Sequence, residues 1–391
     1  MDSYLPTSRT ILNLMKIDSK GCVAVLGASG FIGSRMVEMF HLGGIGETRP
    51  IVRSFGSLAR LARFEIDWRL ADAADEIALT KAFEGCDVVV HCVQGHPNII
   101  EGSIAPTYRA ACRAGVKRMV YLSTASVHGQ APALGTDETS PLSDQQATSY
   151  NNFKVRAERQ LVRERNRGST EIVILRPGIV FGPRDRWITG IANDLMRESA
   201  FLVEGGTGIC NTIYVDNLIH AIKLSLSATG ADGEAFLVGD KETVTWADIT
   251  YRLADSFGTS RDEIKTIKAP EFRRSFRDSV DHFRGHFATQ AILPFIPARL
   301  KRIAKASLAS WPPKHSVSPW TLPTLPVPHV SREMSELHQC RVKLQHDKAS
   351  RILGYEPIVS FEDGLERSMQ WLKWSNLPVL APSLHAGRVS F

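Results

Sequence analysis

The sequence predicts an α/β fold, a doubly wound parallel sheet with helices on both faces and a smaller, mostly C-terminal domain. Short apolar runs without polar alternation recur through the first half of the chain, as expected of strands buried on both faces. Segments with helical periodicity alternate with these runs, and that alternation is typical of a parallel sheet. The 391 residues, of which 43% are hydrophobic, suffice for two buried cores.

The order of the predicted elements follows from these patterns. Strands are expected at residues 22–26, 50–53, 87–92, 118–123, 171–176, 212–215 and 234–238. Helices are expected at residues 31–41, 104–114, 149–165, 217–227, 246–257 and 361–374, with a further ordered segment at 348–353.

The chain divides into two domains where the pattern changes. The larger domain is predicted at residues 21–183, and residues 209–240 return to it. The smaller domain is predicted at residues 184–208 and 241–374, with a basic and proline-rich insertion at 271–328 in which the prolines disfavour regular structure. Residues 1–20 and 375–391 are interpreted as terminal tails.

A glycine-rich turn, GASGFIG at residues 27–33, follows the first predicted strand. Gly27 permits the tight turn out of the strand, Gly30 lets the backbone approach a pyrophosphate, and Gly33 lets the next helix pack closely on the sheet. The amides at the helix start, at Phe31 and Ile32, then face the anion. A strand, a glycine turn and a helix in this order predict a Rossmann-type dinucleotide site.

The second predicted strand ends at Arg53. An acidic residue at this point would hold the ribose 2′-hydroxyl of NAD and repel a 2′-phosphate, whereas an arginine can pair with that phosphate. The sequence therefore favours NADP(H) as the cofactor, and NAD(H) remains an alternative.

Tyr150 and Lys154, in YNNFK, are four residues apart, so a helix places them on one face. A phenol has a pKa of about 10 in model peptides, and a neighbouring ammonium favours its ionised form. The pair could then move protons to and from a hydroxyl or carbonyl group while a cofactor moves hydride. Upstream, a strand ending in Ser123 and Thr124 brings two hydroxyls to the edge where such sheets bind ligands.

Four motifs, GASGFIG, YLSTASVHG, YNNFK and LRPGIVFGP, occur in this order between Gly21 and Ser227. Together they resemble the extended short-chain dehydrogenase/reductases, the NAD-dependent epimerase/dehydratase family, and residues 353–365 are similar to that family's last segment. The resemblance implies an enzyme, an NAD(P)-dependent oxidoreductase or epimerase acting on a secondary alcohol or ketone. A sugar, in particular a nucleotide sugar, is the favoured substrate.

The resemblance also implies roles for individual residues. Tyr150 would be the acid/base, Lys154 its activator and a ribose ligand, and Thr124 the hydroxyl that orients the substrate. The implied cofactor contacts are Asp72 near the adenine, Ser123 beside the nicotinamide and Pro177 against the carboxamide.

Departures from the family pattern bear on the substrate. Ala125 and Ser126 stand where the family's dehydratases carry Asp-Glu, which disfavours sugar dehydration. Cys210 and Asn211 stand near the position where many sugar epimerases carry an arginine for the substrate diphosphate. The run IYVDNL, at residues 213–218, is similar to members acting on hydroxysteroids. A 3β-hydroxysteroid-dehydrogenase-like enzyme acting on an apolar alcohol is therefore an alternative, and a non-catalytic NADP(H)-binding sensor or scaffold is another.

Charge and hydropathy bear on the partners. A formal net charge of +6 suits an anionic small molecule but is too small to indicate nucleic acid, and a homodimer is left open. No run is long enough for a transmembrane helix or a signal-peptide core, so a cytoplasmic protein is expected. Residues 298–311 form a basic amphipathic segment, which would either contact a membrane surface peripherally or pack on the smaller domain.

Six cysteines occur without a CxxC pair and are interpreted as free thiols in a reducing compartment, with spacings that argue against a zinc site. His91 is expected to be a core residue with a hydrogen-bond partner. His128 follows the strand that ends in Ser123, and it could line the substrate pocket.

Overall fold

A computed structural model describes residues 21–270, 272 and 330–375 of the chain. The strands are β1 Cys22–Leu26, β2 Glu47–Val52, β3 Arg69–Leu70, β4 Val88–His91, β5 Arg118–Leu122, β6 Glu171–Pro177, β7 Ile179–Phe181, β8 Phe201–Val203, β9 Ile209–Cys210, β10 Thr212–Tyr214, β11 Glu234–Val238, β12 Val244–Thr245 and β13 Lys265–Ile267. The helices are α1 Phe31–Gly43, α2 Glu76–Phe83, α3 Pro97–Gly102, α4 Ile104–Arg113, α5 Ser149–Arg165, α6 Arg186–Met196, α7 Val215–Ser225, α8 Trp246–Phe257, α9 Arg332–His338, α10 Asp347–Leu353 and α11 Phe361–Trp374.

Seven strands form one parallel sheet in the order β11-β6-β5-β4-β1-β2-β3. The chain adds strands on one side of β1 as far as β3 and then returns to add β4 on the other side. This reversal creates the crevice at the carboxyl ends of β1 and β4 where doubly wound sheets bind ligands. The strand order confirms the predicted fold class.

The sheet is buried on both faces, as the apolar runs predicted. In β1, Val23 and Val25 belong to a core shared with Phe40 of α1, whereas Ala24 and Leu26 belong to a second core on the opposite face. Since successive side chains of a strand point to opposite faces, an unbroken apolar run supplies both cores. The sheet therefore holds the loops at its carboxyl edge on a rigid support.

Three small sheets lie beyond the main sheet. β7 pairs with β10 and β8 pairs with β13 in parallel, while β9 and β12 are antiparallel. The strands at 22–26 and 234–238 and the helices at 149–165, 246–257 and 361–374 were predicted with the bounds that the structure shows. The short strand β3 was not predicted, because two exposed residues are too few to show a strand pattern.

Some predictions concern residues that the structure does not describe. The tails, nearly all of the insertion and the basic segment 298–311 lie outside the described residues, so the membrane contact remains a prediction. The division into two domains also remains a prediction. Of the helices described, none is long and apolar enough to cross a membrane.

Candidate active site

The glycine turn joins β1 to α1 at the crevice. Gly27 has a φ of 86°, a left-handed conformation that favours glycine, and a Cβ there would lie 2.9 Å from the main chain of Cys92. A Cβ on Gly33 would lie 2.4 Å from the carbonyl oxygen of Gly27. Glycine at position 27 therefore lets the turn pass close to the main chain after β4, and glycine at position 33 lets α1 pack closely on the turn.

Gly30 has a different surrounding, because a Cβ there would meet only the Gly27 carbonyl oxygen, at 3.3 Å, and otherwise open space. It precedes the 13-residue helix α1, which has no side-chain cap and no acidic residue in its first turn. Uncapped amides at a helix start attract an anion. The turn, with Phe31 and Ile32 on the wall of the adjacent cleft, therefore fits a dinucleotide pyrophosphate.

The cleft has a volume of about 310 Å³ and runs along the carboxyl edge of the sheet. Residues 31–32, 92–94, 122–126 and 177–180, which follow or end β1, β4, β5 and β6, form one wall. Residues contributed from outside the main sheet form the other, and they include Trp187, Ile209, Asn211, Glu333 and Leu337. The cleft thus brings together Ser123, Thr124, Tyr150 and Pro177.

Tyr150 lies on α5 with its phenol in the cleft. Burial raises the pKa of the phenol, and a hydrogen bond from Gln94 and the charge of Arg186 partly oppose this rise. The Gln94 amide nitrogen lies 3.5 Å from the phenol oxygen. The raised pKa keeps the phenol in its protonated form at neutral pH.

Lys154 stands one turn further along α5 and is 1% exposed. Its ammonium donates to the Leu122 carbonyl oxygen at 2.8 Å and to the Tyr121 hydroxyl at 3.4 Å. Burial lowers the pKa of Lys154 to about 8, while the Glu158 carboxylate acts to raise it. Among the contacts of the described residues none joins the ammonium to Tyr150, so the direct pairing suggested by the four-residue spacing is replaced by an anchor on β5.

Thr124 and Ser123 end the strand β5 but face different partners. The Thr124 hydroxyl lies 2.9 Å from the Ser126 hydroxyl and accepts from the Ser126 amide at the start of a short 3-10 turn. The buried Ser123 hydroxyl donates to the Glu158 carboxylate. Thr124 is therefore the better placed of the two to meet a substrate oxygen.

Glu158 and Arg176 form a buried ion pair behind the cleft. Tyr150, Lys154 and Glu158 follow one another at four-residue spacing on α5. This spacing extends the YNNFK pattern by one helical turn, but the sequence analysis did not single out Glu158. Gln94 had no such signal, because it follows β4 in an irregular segment.

The nucleotide half of the site contains three polar residues. Arg53 and Asp72 are exposed, and the Asp72 carboxylate accepts from the Ala74 amide. Arg60, which the sequence did not single out, lines the cleft and donates to the Ser29 carbonyl oxygen in the glycine turn at 3.1 Å. Arg60 is thus an arginine in direct contact with the glycine turn.

The two histidines that the sequence singled out, His91 and His128, both contact other side chains of the protein. His91 is 1% exposed with its Nε2 3.0 Å from the Ser103 hydroxyl, and burial lowers its pKa to about 3, which confirms the prediction of a core residue. His128 Nε2 lies 3.2 Å from Arg176. His128 is not among the residues that line the cleft, because the turn after β5 directs it behind the strand, so the prediction that it lines the pocket was wrong.

A doubly wound sheet with a glycine turn and a Tyr–Lys helix at its switch point defines an enzyme of the extended short-chain dehydrogenase/reductase type. The chain belongs to the 3-beta hydroxysteroid dehydrogenase/isomerase family, whose sequence model matches residues 24–269. The resemblance inferred from the motifs is thereby confirmed. Since the relatives are enzymes, the alternative of a non-catalytic sensor is set aside.

The similar proteins include both a hydroxysteroid dehydrogenase and a sugar epimerase. The 3beta-hydroxysteroid-dehydrogenase/decarboxylase isoform 1 of Arabidopsis thaliana is 24% identical, with 91% of this chain and 81% of the relative covered. Isoforms 2 and 3, at 24% and 25% identity over 76% and 90% of this chain, are longer, and this chain spans 50% and 61% of their lengths.

A ketoreductase of Stigmatella aurantiaca that acts on a 4-farnesyl-dihydroquinoline-1-oxide is 26% identical over 88% of this chain and 95% of its own. Among solved structures, UDP-glucuronic acid 4-epimerase from Bacillus cereus, in complex with UDP-glucuronic acid and NAD, superposes with a TM-score of 0.64. Its identity is 19%, and the match covers 90% of this chain and 99% of the epimerase. This likeness shows the shared fold.

Proposed function

We propose that this enzyme oxidises or reduces a secondary alcohol or ketone with NADP(H), and that its substrate is apolar. The choice of substrate class rests on the hydrogen bonds of the Asn211 side chain. Asn211 stands near the position where many sugar epimerases carry an arginine for the diphosphate. Its amide nitrogen donates to the Val342 carbonyl oxygen at 2.9 Å and contacts Cys340 Sγ at 3.6 Å. Its oxygen accepts from the Leu344 amide at 2.8 Å. Asn211 is therefore committed to the main chain and offers nothing to a diphosphate.

The wall around Asn211 supports the same choice. Trp187, Ile209, Leu337 and Leu344 line this part of the cleft, and apolar walls favour an apolar ligand. The carboxylate of Glu333 is also on the wall, and so are the guanidinium groups of Arg184 and Arg186. The charged groups therefore do not decide between the two substrate classes, and the choice rests on Asn211 and the apolar side chains. We therefore prefer the apolar alternative to the nucleotide sugar that the motifs favoured.

The names of the relatives support this proposal. The plant enzyme is a hydroxysteroid dehydrogenase/decarboxylase, and the bacterial relative reduces a ketone on a farnesylated ring system. The structural neighbour is a sugar epimerase at only 19% identity, so a nucleotide sugar is the substrate class that the experiment must exclude.

The chemistry assigned to the chain is proton transfer. A bound nicotinamide supplies or accepts the hydride. Tyr150 donates its proton to the substrate oxygen during reduction and takes it back during oxidation, while Thr124 orients that oxygen. The Lys154 ammonium, anchored on Leu122, adds positive charge near the phenol and is a candidate ligand for the ribose hydroxyls.

Cofactor choice is assigned to two arginines. Arg53 immediately follows β2 and has no salt bridge among the described residues, and Arg60 lies against the glycine turn. Two guanidinium groups on this side of the site favour a 2′-phosphate over a free 2′-hydroxyl.

A substrate panel tests the proposal. Purified enzyme is incubated with hydroxysteroids, other apolar secondary alcohols and UDP-sugars, each with NADP⁺ and with NAD⁺, and reduced cofactor is followed by absorbance, while UDP-sugar products are separated by chromatography. We expect oxidation of an apolar alcohol, with Tyr150→Phe as the control that assigns the activity to this site. Conversion of UDP-sugars without turnover of any apolar alcohol would refute the substrate class.

A further inference from the structure

A pair of cysteines outside the active site lies in direct contact. Cys22 is the first residue of β1, and Cys86 lies two residues before β4. Their sulfur atoms are 3.2 Å apart, although the residues are 64 positions apart in sequence. Both are buried, with exposures of 7% and 4%. Among the hydrogen bonds and contacts of the described residues, no other pair of cysteine sulfurs is in contact.

The backbone holds this pair in place from both sides. β1 and β4 are parallel neighbours, with Val23 opposite Val88, and the Asp87 amide donates to the Cys22 carbonyl oxygen at 2.9 Å. The Cys22 amide in turn donates to the Asp87 carboxylate at 3.1 Å. Because the sheet fixes the main chain on both sides, the Cα atoms of the two cysteines cannot separate without disturbing the strand pairing.

A cation stands beside the sulfurs. Arg49 of β2 directs a guanidinium nitrogen to within 3.3 Å of Cys86 Sγ, and the same group is held by the Glu84 carbonyl oxygen at 2.6 Å and by the Asp67 carboxylate at 2.9 Å. The hydrogen bond with Cys86 lowers the pKa of Cys22 despite burial, and the charge of Arg49 lowers it further. A thiolate is the reactive form of cysteine. Cys22 is the more exposed of the two residues, so we take it as the sulfur that reacts first.

We propose that Cys22 and Cys86 form an oxidative modification site, at which a peroxide converts the two thiols into an intramolecular disulfide. The Cys22 thiolate attacks one peroxide oxygen, so that an S–O bond forms, the O–O bond breaks and hydroxide leaves. The Cys86 sulfur then attacks the sulfenic sulfur, so that the S–S bond forms and the S–O bond breaks. With hydrogen peroxide the sum is two thiols and one peroxide to one disulfide and two waters.

The movement needed is small. A disulfide has a bond length of about 2.0 Å, so the sulfurs must approach by about 1 Å, which rotation of the two side chains can supply. The bond would close a loop that contains α1, β2, β3 and α2, the part of the chain that holds Gly30, Arg53 and Asp72. It would therefore join the two ends of this segment by a covalent bond.

Peptide mapping of the full-length protein tests this site. The protein is treated with hydrogen peroxide, denatured, alkylated with iodoacetamide and digested, with and without a reducing agent before alkylation. We expect Cys22 and Cys86 to lose alkylation together, in one linked peptide that the reducing agent separates. Cys22→Ser should leave Cys86 alkylated, and the matched control Cys112→Ser should leave the link intact.

Thermal unfolding gives a second measurement that does not depend on any variant. The linked protein should unfold at a higher temperature than the reduced protein, because closing the loop lowers the entropy of the unfolded chain. Full alkylation of both cysteines after peroxide treatment would overturn the proposal, as would a link that joins other cysteines while this pair stays reduced. Neither result depends on the substrate of the enzyme.

Discussion

Glu158 and Arg176 form an ion pair with their side chains only 4% and 6% exposed, and the Arg176 Nη2 and Glu158 Oε2 atoms are 2.7 Å apart. The pair joins α5, which carries Tyr150 and Lys154, to the end of β6. Glu158 also accepts from the Ser123 hydroxyl, and Arg176 donates to the Glu138 carbonyl oxygen at 3.0 Å. Helix α5 is thus fastened to two strands of the sheet.

Removing the negative charge of this pair should destabilise the fold. Glu158→Gln leaves Arg176 buried without its counter-charge, and breaking a buried ion pair typically costs about 3–5 kcal/mol in the free energy of unfolding. Chemical denaturation of the variant measures this loss. The control is Glu164→Gln on the same helix, whose ion pair with the half-exposed Arg109 should contribute less than about 1 kcal/mol. Equal losses in the two variants would show that burial of the Glu158 pair is unimportant.

A side chain at Gly30 should block the cofactor without unfolding the protein. The residue has a φ of −71°, which any amino acid can adopt, and an added Cβ would meet only the Gly27 carbonyl oxygen. Gly30→Val should weaken cofactor binding by at least about tenfold, a loss of about 1.4 kcal/mol, as measured by titration calorimetry. Gly102→Val, where an added Cβ meets no atom within 4 Å, is the control and should bind normally. Unchanged affinity in folded Gly30→Val would contradict the pyrophosphate assignment.

The arginines of the nucleotide half should select the phosphorylated cofactor. A hydrogen bond to a charged group contributes about 1.5–3 kcal/mol, so Arg53→Gln and Arg60→Gln should each weaken NADPH binding about tenfold or more. Binding of NADH serves as the internal reference and should change little. A wild-type enzyme that binds NADH more tightly than NADPH would show that these guanidinium groups serve another purpose.

Tyr150→Phe should abolish proton transfer while the fold and the cofactor affinity remain. General acid–base participation is typically worth roughly 10²–10⁴ in rate, so the loss of kcat should be clear with any substrate found by the panel. Tyr251→Phe, which removes a phenol on α8 beside Arg261 and outside the cleft, is the control and should retain full activity. Full turnover in Tyr150→Phe would end the catalytic assignment.

Lys154 and Thr124 should differ in how far they tolerate substitution. Lys154→Met should lower kcat and also weaken cofactor binding, because it removes both a charge and a candidate ribose ligand. Thr124→Ser keeps a hydroxyl and should remain active, whereas Thr124→Val should not. The ratio of kcat for the two Thr124 variants measures the contribution of the hydroxyl; a ratio near one would show that substrate orientation depends on other groups.

Acid should destabilise the fold through His91. Its pKa is lowered from 6.5 to about 3 in the folded state, so below pH 6.5 the unfolded chain takes up a proton that the folded chain does not. Its contribution to the free energy of unfolding should fall by up to about 1.4 kcal/mol for each pH unit between 6.5 and 3. His91→Gln should therefore flatten this dependence in denaturation experiments, and His41→Gln at the exposed end of α1 should not. Identical slopes for wild type and His91→Gln would disprove the assignment.

The sequence by itself determined the features that depend on neighbours along the chain. The apolar run of β1, the glycine turn and the four-residue spacing of Tyr150 and Lys154 are local patterns, and the structure places all of them at the switch point of the sheet. Each is local because strand and helix periodicities act over a few residues. These patterns were sufficient for the fold class and the family.

Only the tertiary structure decided which side chains touch across the fold. Lys154 bonds to Leu122, 32 positions away, Gln94 meets Tyr150 across 56 positions, and Cys22 meets Cys86 across 64. Parallel strands bring such residues together because each crossover returns the chain beside an earlier strand after a long excursion. A local pattern indicates the helix or strand to which a residue belongs and the face on which it lies. It does not indicate which distant element packs beside that residue.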